Sequence, residues 1–156
     1  VLTQSAILDE LQYYPVDFGH DTDGRDILFD TNTNKFNISK NGRYKFDTTV
    51  HITSNTGDFL GVELYLDHYK SSSSTTQRIL LDKIAINSPV PFDAKPYFTK
   101  YTSHGNQLLN LDKNDTLQVL IYTVMIGPTN KDYRILYHLL PGFKYTDVSI
   151  HCIELT

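Results

Sequence analysis

The chain has 156 residues, of which 40% are hydrophobic and 21% are charged, and its formal net charge is -4. This length suits one domain with a real hydrophobic core. The negative charge and the lack of a basic arm argue against a subunit that packages nucleic acid, because phosphate neutralisation needs clustered lysine and arginine. No apolar run reaches the roughly 20 residues of a membrane-spanning helix, so we expect no membrane insertion.

The residues in the apolar runs favour strands. Tyrosine (11) and phenylalanine (8) are abundant, and tryptophan is absent. Threonine, isoleucine, valine and tyrosine dominate the apolar runs, and asparagine, serine and aspartate fill the gaps between them. No long segment has a helical period. We therefore predict an all-β domain, with roughly eight to ten strands spaced as in an antiparallel β-sandwich.

The beginning of the chain has the weakest pattern. We predict a possible first strand at residues 5–8 and an extended stretch at residues 13–16, where a proline disfavours a helix. The chain begins at Val1 without an initiator methionine, so we expect it to derive from a longer or processed product. On this interpretation, residues 1–25 are an extended segment leading from a missing upstream region, and residues 26–156 are the head domain.

An Asn-Gly pair at positions 41 and 42 lies between a short segment with strand character and a long alternating one. Asn-Gly between such runs is the strongest short-range signal of a β-hairpin, because both residues tolerate positive φ. We therefore predict a hairpin here. One face of its second strand is expected to carry Tyr44, Phe46, Thr48, Val50 and Ile52.

Strand character recurs through the rest of the chain, at residues 26–31, 34–39, 43–53, 58–69, 77–87, 97–111, 116–126, 133–140 and 146–155. The apolar positions change parity between Leu81 and Ile84, which predicts a β-bulge near residues 82–83. The segment at residues 97–111 is expected to be interrupted at residues 104–105, a His-Gly pair.

The segment at residues 116–126 is apolar on both of its faces. One face would carry Leu117, Val119 and Ile121, and the other Leu120, Tyr122 and Val124. A strand that is apolar on both faces is buried on both faces. Because only one face of a sandwich strand meets the core, we expect the other face to meet a neighbouring subunit.

Three carboxylates near a glycine, Asp21, Asp23 and Asp26, have the character of an oxygen-ligand turn for calcium. The closing glutamate of the twelve-residue calcium loop is absent, so a solvated polar turn is the alternative interpretation. No other cofactor is expected.

The histidines and the single cysteine give no sign of catalysis. None of the six histidines stands in a His-x-His or His-Glu-x-x-His pair, which argues against the catalytic metal of a cupin-like enzyme. We find no Gly-x-Ser-x-Gly, phosphate loop or dinucleotide fingerprint, so we expect no enzyme. We expect Cys152 to be a small buried residue of the last strand, an intermolecular disulfide or a reactive thiol being the alternative.

Three loops, at residues 71–76, 87–95 and 130–133, are candidate recognition sites, since loops on a rigid sandwich vary without disturbing the core. Inert connection is the alternative for each of them. The candidate residues are Ser71, Ser72, Ser73, Ser74, Pro91, Phe92, Asn130 and Lys131.

Four segments, taken in order, resemble the tumour necrosis factor / complement globular-head superfamily. They are Ile-Leu-Phe-Asp at residues 27–30, Lys-Phe followed by Asn-Gly-Arg-Tyr-Lys-Phe within residues 35–46, Leu-Asn-Leu-Asp-Lys-Asn-Asp-Thr-Leu at residues 109–117, and the closing strand at residues 145–153. The likeness covers about residues 25–155. Three residues depart from the family pattern: Asn41 stands in place of proline, and Asn114 and Ile150 stand in place of glycine.

The resemblance implies an antiparallel jelly roll of about ten strands that assembles as a homotrimer. It also implies a non-enzymatic recognition head that binds a receptor, a glycan or a partner protein. Aromatic residues suit an apolar subunit interface. The expected interface positions are Tyr65, Leu120, Tyr122, Val124 and Tyr137, and the alternative is that they are internal core or scattered surface residues.

The departures favour a distant member of the family, such as the terminal domain of a virion spike or fibre. We then expect a location at the virion surface or outside the cell. The expected partners are other copies of the chain and a cell-surface receptor, a glycan or another virion protein. A virion coat or decoration subunit is one alternative, and a secreted complement-like or cytokine-like ligand is another.

Overall fold

A computed structural model describes residues 4–8, 13–16, 18, 27–54, 61–85, 99–124, 135–139 and 147–156. Within these ranges the chain forms strands and turns and no helix. In chain order the strands are β1 (Gln4–Leu8), β2 (Tyr13–Pro15), β3 (Ile27–Asp30), β4 (Lys35–Ile38), β5 (Gly42–Ser54), β6 (Gly61–Lys70), β7 (Thr75–Ala85), β8 (Thr99–Leu111), β9 (Thr116–Val124), β10 (Ile135–Leu139) and β11 (Asp147–Leu155). They pair in antiparallel fashion into two sheets, which confirms the predicted all-β sandwich.

The first sheet is built on β5. This strand pairs with β8 along its whole length, from Gly42 opposite Leu111 to Ser54 opposite Thr99. Its other edge pairs with β11 and, further along, with β10. β1 continues the sheet beyond β10.

The second sheet has the order β3-β4-β9-β6-β7. One edge of β9 pairs with β6 along the whole strand. The other edge pairs first with β4, at Thr116 and Leu117, and then with β2, between Leu120 and Tyr122. The first two strands of the chain therefore belong to different sheets.

The predicted alternation of β5 is confirmed. Tyr44, Phe46, Thr48 and Val50 are all buried, and the side chain of Ile52 lies outside the described residues. The second sheet contributes Phe36, Ile38, Leu64, Leu66, Leu117, Val119 and Ile121 to the same core. Because burying a side chain of this size contributes roughly 1.5 to 3 kcal/mol, these inward faces hold the two sheets together.

The hairpin predicted at Asn41 and Gly42 is wrong. β4 pairs with β3 and β9, whereas β5 belongs to the other sheet, so the Asn-Gly connection crosses the sandwich. Positive φ among the described non-glycine residues occurs at positions 34, 74 and 114, and not at Asn41. Gly42 is required for a different reason: a Cβ there would lie 2.7 Å from the backbone oxygen of Glu154.

The parity change in β7 is confirmed as a β-bulge, one residue earlier than expected. Leu64 pairs with Asp82 and Tyr65 pairs with Leu80, so Leu81 is the extra residue. β8, however, is one continuous strand and is not interrupted at its His-Gly pair. A Cβ on Gly105 would lie 2.6 Å from the Cβ of Leu81, so this glycine allows β7 to approach β8 closely.

The expectation of a buried cysteine is also wrong, since Cys152 is exposed. Cys152 lies opposite Tyr44 and follows Val148 and Ile150 at intervals of two residues. It therefore lies on the same face of β11 as these two residues, which pack against the core. Tyr44, however, lies close to the end of β5, and the register of β11 shifts just after Cys152. Among the described strands β11 pairs with β5 alone, so no second neighbour covers the thiol.

Candidate functional site

Aromatic residues from three strands meet on the outer face of the second sheet. We call Tyr13, Tyr65, Leu120 and Tyr122 the outer tyrosine cluster. Tyr13 of β2 lies opposite Tyr122 of β9. On the other edge of β9, Tyr65 of β6 lies opposite Leu120.

The cluster follows from the period of two in each strand. Leu64 and Leu66 of β6 point into the core, so Tyr65 between them points outwards. In β9 the inward residues Val119 and Ile121 likewise place Leu120 on the outer face. The sequence thus gives this sheet an apolar outer patch in addition to its core face.

The rings of the cluster are held by mutual contact. The centroid of the Tyr13 ring lies 4.6 Å from that of Tyr122 in a tilted arrangement. It lies 5.5 Å from the centroid of Tyr65 in an edge-to-face arrangement. Aromatic pairs at such separations contribute about 0.5 to 1.5 kcal/mol beyond the burial of area. Tyr13 nevertheless remains 41% exposed.

A guanidinium group completes one side of the cluster. Cζ of Arg78 lies 3.9 Å from the centroid of the Tyr13 ring, within the range of a cation–π interaction. The same guanidinium donates two hydrogen bonds to Asp67, of 2.7 Å from Nε and 2.8 Å from Nη2. The hydrogen bonds to Asp67 are the largest cause of the raised pKa of Arg78. Arg78 is therefore fixed as a cation over the ring.

A second charged group orients Tyr65. Its hydroxyl donates a hydrogen bond of 2.5 Å to Oε2 of Glu63, and Nζ of Lys83 lies 3.2 Å from Oε1 of the same carboxylate. The hydrogen bond to Glu63 is the main reason that the pKa of Tyr65 is raised to about 12, and burial and the charge of Glu63 add to it. The charges around the cluster are thus balanced in pairs, and the rings are held in fixed positions on the outer face of the sheet.

The structure brings together three of the five residues predicted for a subunit interface: Tyr65, Leu120 and Tyr122. Leu120 is only 4% exposed in the single chain, so the two tyrosines offer more surface to a partner. Val124 lies further along β9, opposite Gly61, and its side chain lies outside the described residues. Tyr137 belongs to the first sheet, opposite Ala6. The subunit interface itself stays a prediction.

The predicted loop at residues 71–76 is shorter in the structure: residues 71–74 form the turn between β6 and β7, and residues 75 and 76 already belong to β7. Ser72, Ser73 and Ser74 are exposed at its tip, and Ser74 has a φ of 53°. Ser71 is different, because its backbone N–H donates a hydrogen bond of 3.0 Å to Oδ1 of Asp115. The other predicted loop residues, Pro91, Phe92, Asn130 and Lys131, lie outside the described residues.

Asp115 is a buried carboxylate that fixes this end of the sandwich. It accepts a hydrogen bond of 2.8 Å from Nε2 of His68, which is buried as well. It also accepts one of 3.1 Å from the backbone N–H of Asp112. Its own backbone oxygen accepts a bond from the N–H of Ile38. One residue therefore connects the end of β4 with the turns that follow β6 and β8.

The environment of Asp115 sets its charge. Burial is the largest single influence on its pKa and raises it. The hydrogen bond from His68, the two backbone amides and the attraction of His68 together outweigh burial, and the pKa lies below its ordinary value. Because an ionised carboxylate only accepts hydrogen bonds, Nε2 of His68 carries the hydrogen. The pair thus joins β6 to the turn between β8 and β9.

The predicted calcium turn at Asp21, Asp23 and Asp26 lies outside the described residues, so it stays a prediction. Within the described part of the chain, no group of three or more His, Cys, Asp or Glu side chains could hold a metal ion. The same part contains no helix long and apolar enough to cross a membrane.

Tyr13, Arg78 and the His68–Asp115 pair are absent from the sequence predictions. The signal for His68 is its phase, because it continues the inward series of Leu64 and Leu66 at a spacing of two. Tyr13 and Arg78 carry no comparable signal, since their positions depend on pairing between strands that are far apart in the chain.

Comparison with known proteins gives a clear result at the level of the fold. No family model matches the chain, and no curated protein matches it. Among solved structures, the Eiger TNF from S. frugiperda superposes with a TM-score of 0.61 at 12% sequence identity, over 99% of this chain and 87% of that one. The fold is a TNF-like jelly roll. The antiparallel β-sandwich predicted from the sequence is therefore confirmed, while identity this low carries the likeness no further than the fold.

Proposed function

We propose that this chain is a non-enzymatic, TNF-like recognition head that acts as a homotrimer and binds a receptor, a glycan or a partner protein. The observation that carries the proposal is the likeness of nearly the whole chain to a TNF structure. A likeness that spans 99% of the chain concerns the entire domain, and not a single motif within it.

The outer tyrosine cluster supports a role in recognition. Tyrosine and arginine are enriched among the residues that contribute most to protein interfaces. Here the rings of Tyr13 and Tyr122 and the guanidinium of Arg78 are held in place before any partner arrives. Groups that are already ordered lose less conformational entropy on binding, which favours affinity.

Avidity would be the working mechanism. Three identical sites held at fixed spacing on one trimer gain affinity for a repetitive surface without any new contact. In our proposal the trimer works outside the cell or at the virion surface. Two settings fit it: a cytokine-like ligand, which the TNF neighbour favours, and the terminal domain of a virion spike or fibre.

The first test is the solution mass of the chain, measured by light scattering with and without a chelator. The expected result is a stable particle of about three times the 17.9 kDa of one chain. A monomer across the accessible concentration range would overturn the trimeric head. A trimer that dissociates on chelation would support a calcium site at the three N-terminal aspartates.

A variant pair locates the trimer contact. Tyr122→Ser alters the outer tyrosine cluster, whereas Arg43→Ser alters an exposed position of β5 in the other sheet. If the cluster is the subunit contact, only the first substitution lowers the mass. A trimer that survives Tyr122→Ser leaves the cluster free for a receptor or glycan. A large closed shell formed by the wild type would instead favour a coat subunit.

A further inference from the structure

Residues 13–16 form a short strap along one edge of β9. Tyr13, Tyr14 and Pro15 pair with the stretch of β9 from Tyr122 to Leu120. The backbone N–H of the next residue, Val16, donates a hydrogen bond of 2.9 Å to the oxygen of Val119. The strap lies beyond the point where β4 stops pairing with β9, so it occupies an edge that β4 leaves open.

The side chains of the strap alternate between two environments. Tyr14 and Val16 point inwards; Val16 belongs to the core and is completely buried, and Tyr14 packs against it. Tyr13 points outwards and contacts Tyr65, Tyr122 and Arg78. Pro15 lies on the same outer side, opposite Leu120. The edge of β9 thus offers distinct positions for successive side chains.

The backbone pairing that attaches the strap to β9 is short compared with the pairing of the central strands. It pairs over three residues, whereas β5 and β8 pair from one end of each strand to the other. Segments with few backbone hydrogen bonds open locally more often than central strands. Opening of the strap would expose a strand edge, the pocket of Val16 and the outward side chains of Tyr65 and Tyr122 together.

We infer that the edge of β9 at residues 119–122 is a docking site for an extended peptide, and that the strap is its intramolecular occupant. The partner is a protein segment of the pattern aromatic, aromatic, proline, aliphatic. It adds to β9 as a strand, in the manner of β-augmentation. The bound strap itself shows the fit of this pattern.

Each position of the pattern has a physical reason. An aromatic residue at the first position stacks with Tyr122 and lies under Arg78, as Tyr13 does. An aliphatic residue at the fourth position fills the buried pocket of Val16. Proline is suited to the third position because no described strand pairs with the far edge of β2, where an N–H would otherwise be needed.

The strap competes with any separate peptide for the edge of β9. A tethered segment has an effective concentration of about the millimolar range, so a free peptide competes poorly with it. The apparent affinity for the peptide falls by the fraction of molecules in which the strap is open. Weakening the strap should therefore strengthen binding of the external peptide.

The test uses a fluorescent synthetic peptide with the sequence of residues 12–18 and the intact chain, with anisotropy as the readout. The variant Tyr13→Ala removes a contact of the strap at a partly exposed position, which preserves the fold. We expect it to bind the peptide roughly tenfold more tightly than the wild type does. A control peptide with Val16→Asp should not bind, because it would bury a charge in the pocket. Equal binding of the two peptides, or no binding to a folded Tyr13→Ala chain, would overturn the inference.

Hydrogen exchange of the unmodified chain gives a second test that needs no variant. Local opening predicts that the amide of Val16 exchanges roughly tenfold faster than the amides in the centre of β6. If Val16 is as protected as β6, the strap opens only on global unfolding and cannot give way to a partner. Light scattering of the wild type and of Tyr13→Ala, run beside both tests, gives the oligomeric state separately, so failure of the strap inference is distinguishable from failure of the trimeric head.

Discussion

Nε2 of His68 lies 2.8 Å from Oδ2 of Asp115, although 47 residues separate the two in the chain. Both side chains are buried. Asp115 also accepts hydrogen bonds from the backbone amides of Ser71 and Asp112, so its carboxylate satisfies donors from two turns as well as the imidazole. A buried donor that loses its acceptor costs free energy, so a substitution at Asp115 is expected to be destabilising.

Replacing Asp115 by alanine should lower the free energy of unfolding by about 2 to 4 kcal/mol, because it leaves the buried His68 donor and two partly buried backbone amides without their acceptor. Urea denaturation followed by circular dichroism measures the change. The matched control is Asp47→Ala, whose carboxylate makes an exposed ion pair of 3.5 Å with Lys45. That substitution should change stability by less than about 0.5 kcal/mol. Similar losses in both variants would mean that the buried network contributes nothing special.

Acid should destabilise the wild type more steeply than the variant Asp115→Asn. The pKa of Asp115 in the folded protein lies below the ordinary value of 3.8, so the unfolded chain takes up a proton first as the pH falls. The stabilisation is present above 3.8 and is lost as the pH falls through the lower pKa of the folded state. Asparagine cannot titrate, and the other carboxylates are common to both chains. Parallel curves of unfolding free energy against pH would contradict the assignment.

Gly105→Ala should destabilise the protein by about 1 to 3 kcal/mol, because the new methyl group would lie 2.6 Å from the Cβ of Leu81. The same substitution in a Leu81→Gly background should cost less, since the opposing side chain is then gone. A double-mutant cycle based on urea denaturation measures this coupling. Zero coupling would show that the close approach of β7 and β8 is not what requires glycine.

Tyr65 should ionise at a higher pH than an ordinary tyrosine, with a pKa of about 12, because its hydroxyl donates a hydrogen bond to the carboxylate of Glu63. Its folded-state pKa exceeds the ordinary value of 10.0, so the associated stabilisation is present below 10.0 and is lost as the pH rises towards 12. NMR titration of labelled tyrosine rings measures it. Glu63→Gln should shift the Tyr65 pKa back towards its ordinary value, whereas Glu154→Gln, at an exposed position of β11, should leave it unchanged.

Much of the sandwich is predictable from local patterns. The alternation of Tyr44, Phe46, Thr48 and Val50 places β5 correctly, because a period of two and burial on one face are properties of a single segment. The bulge at Leu81 is predictable for the same reason, since an extra residue must change the parity of the apolar positions.

The wrong predictions concern residues whose environment depends on which other strand their own strand pairs with. Asn41 and Gly42 carry a hairpin signal, yet the strand after them pairs in the other sheet, and Gly42 is needed because the backbone at Glu154 comes close. Cys152 has the phase of a core residue but lies near the end of the sheet. The sequence singles out Tyr65, Leu120 and Tyr122 but not Tyr13, because Tyr13 joins them through a pairing between β2 and β9 that no local pattern encodes.

The turn between β6 and β7 is fixed at its first residue and exposed at its tip. The amide of Ser71 is held by Asp115, whereas Ser73 and Ser74 face solvent. A short peptide tag inserted between those two serines would extend the tip and leave the anchor at Ser71 in place. The tag would stand beside the end of the sandwich that Asp115 holds together. Such a chain could be immobilised or labelled at that end, with the outer tyrosine cluster left unaltered.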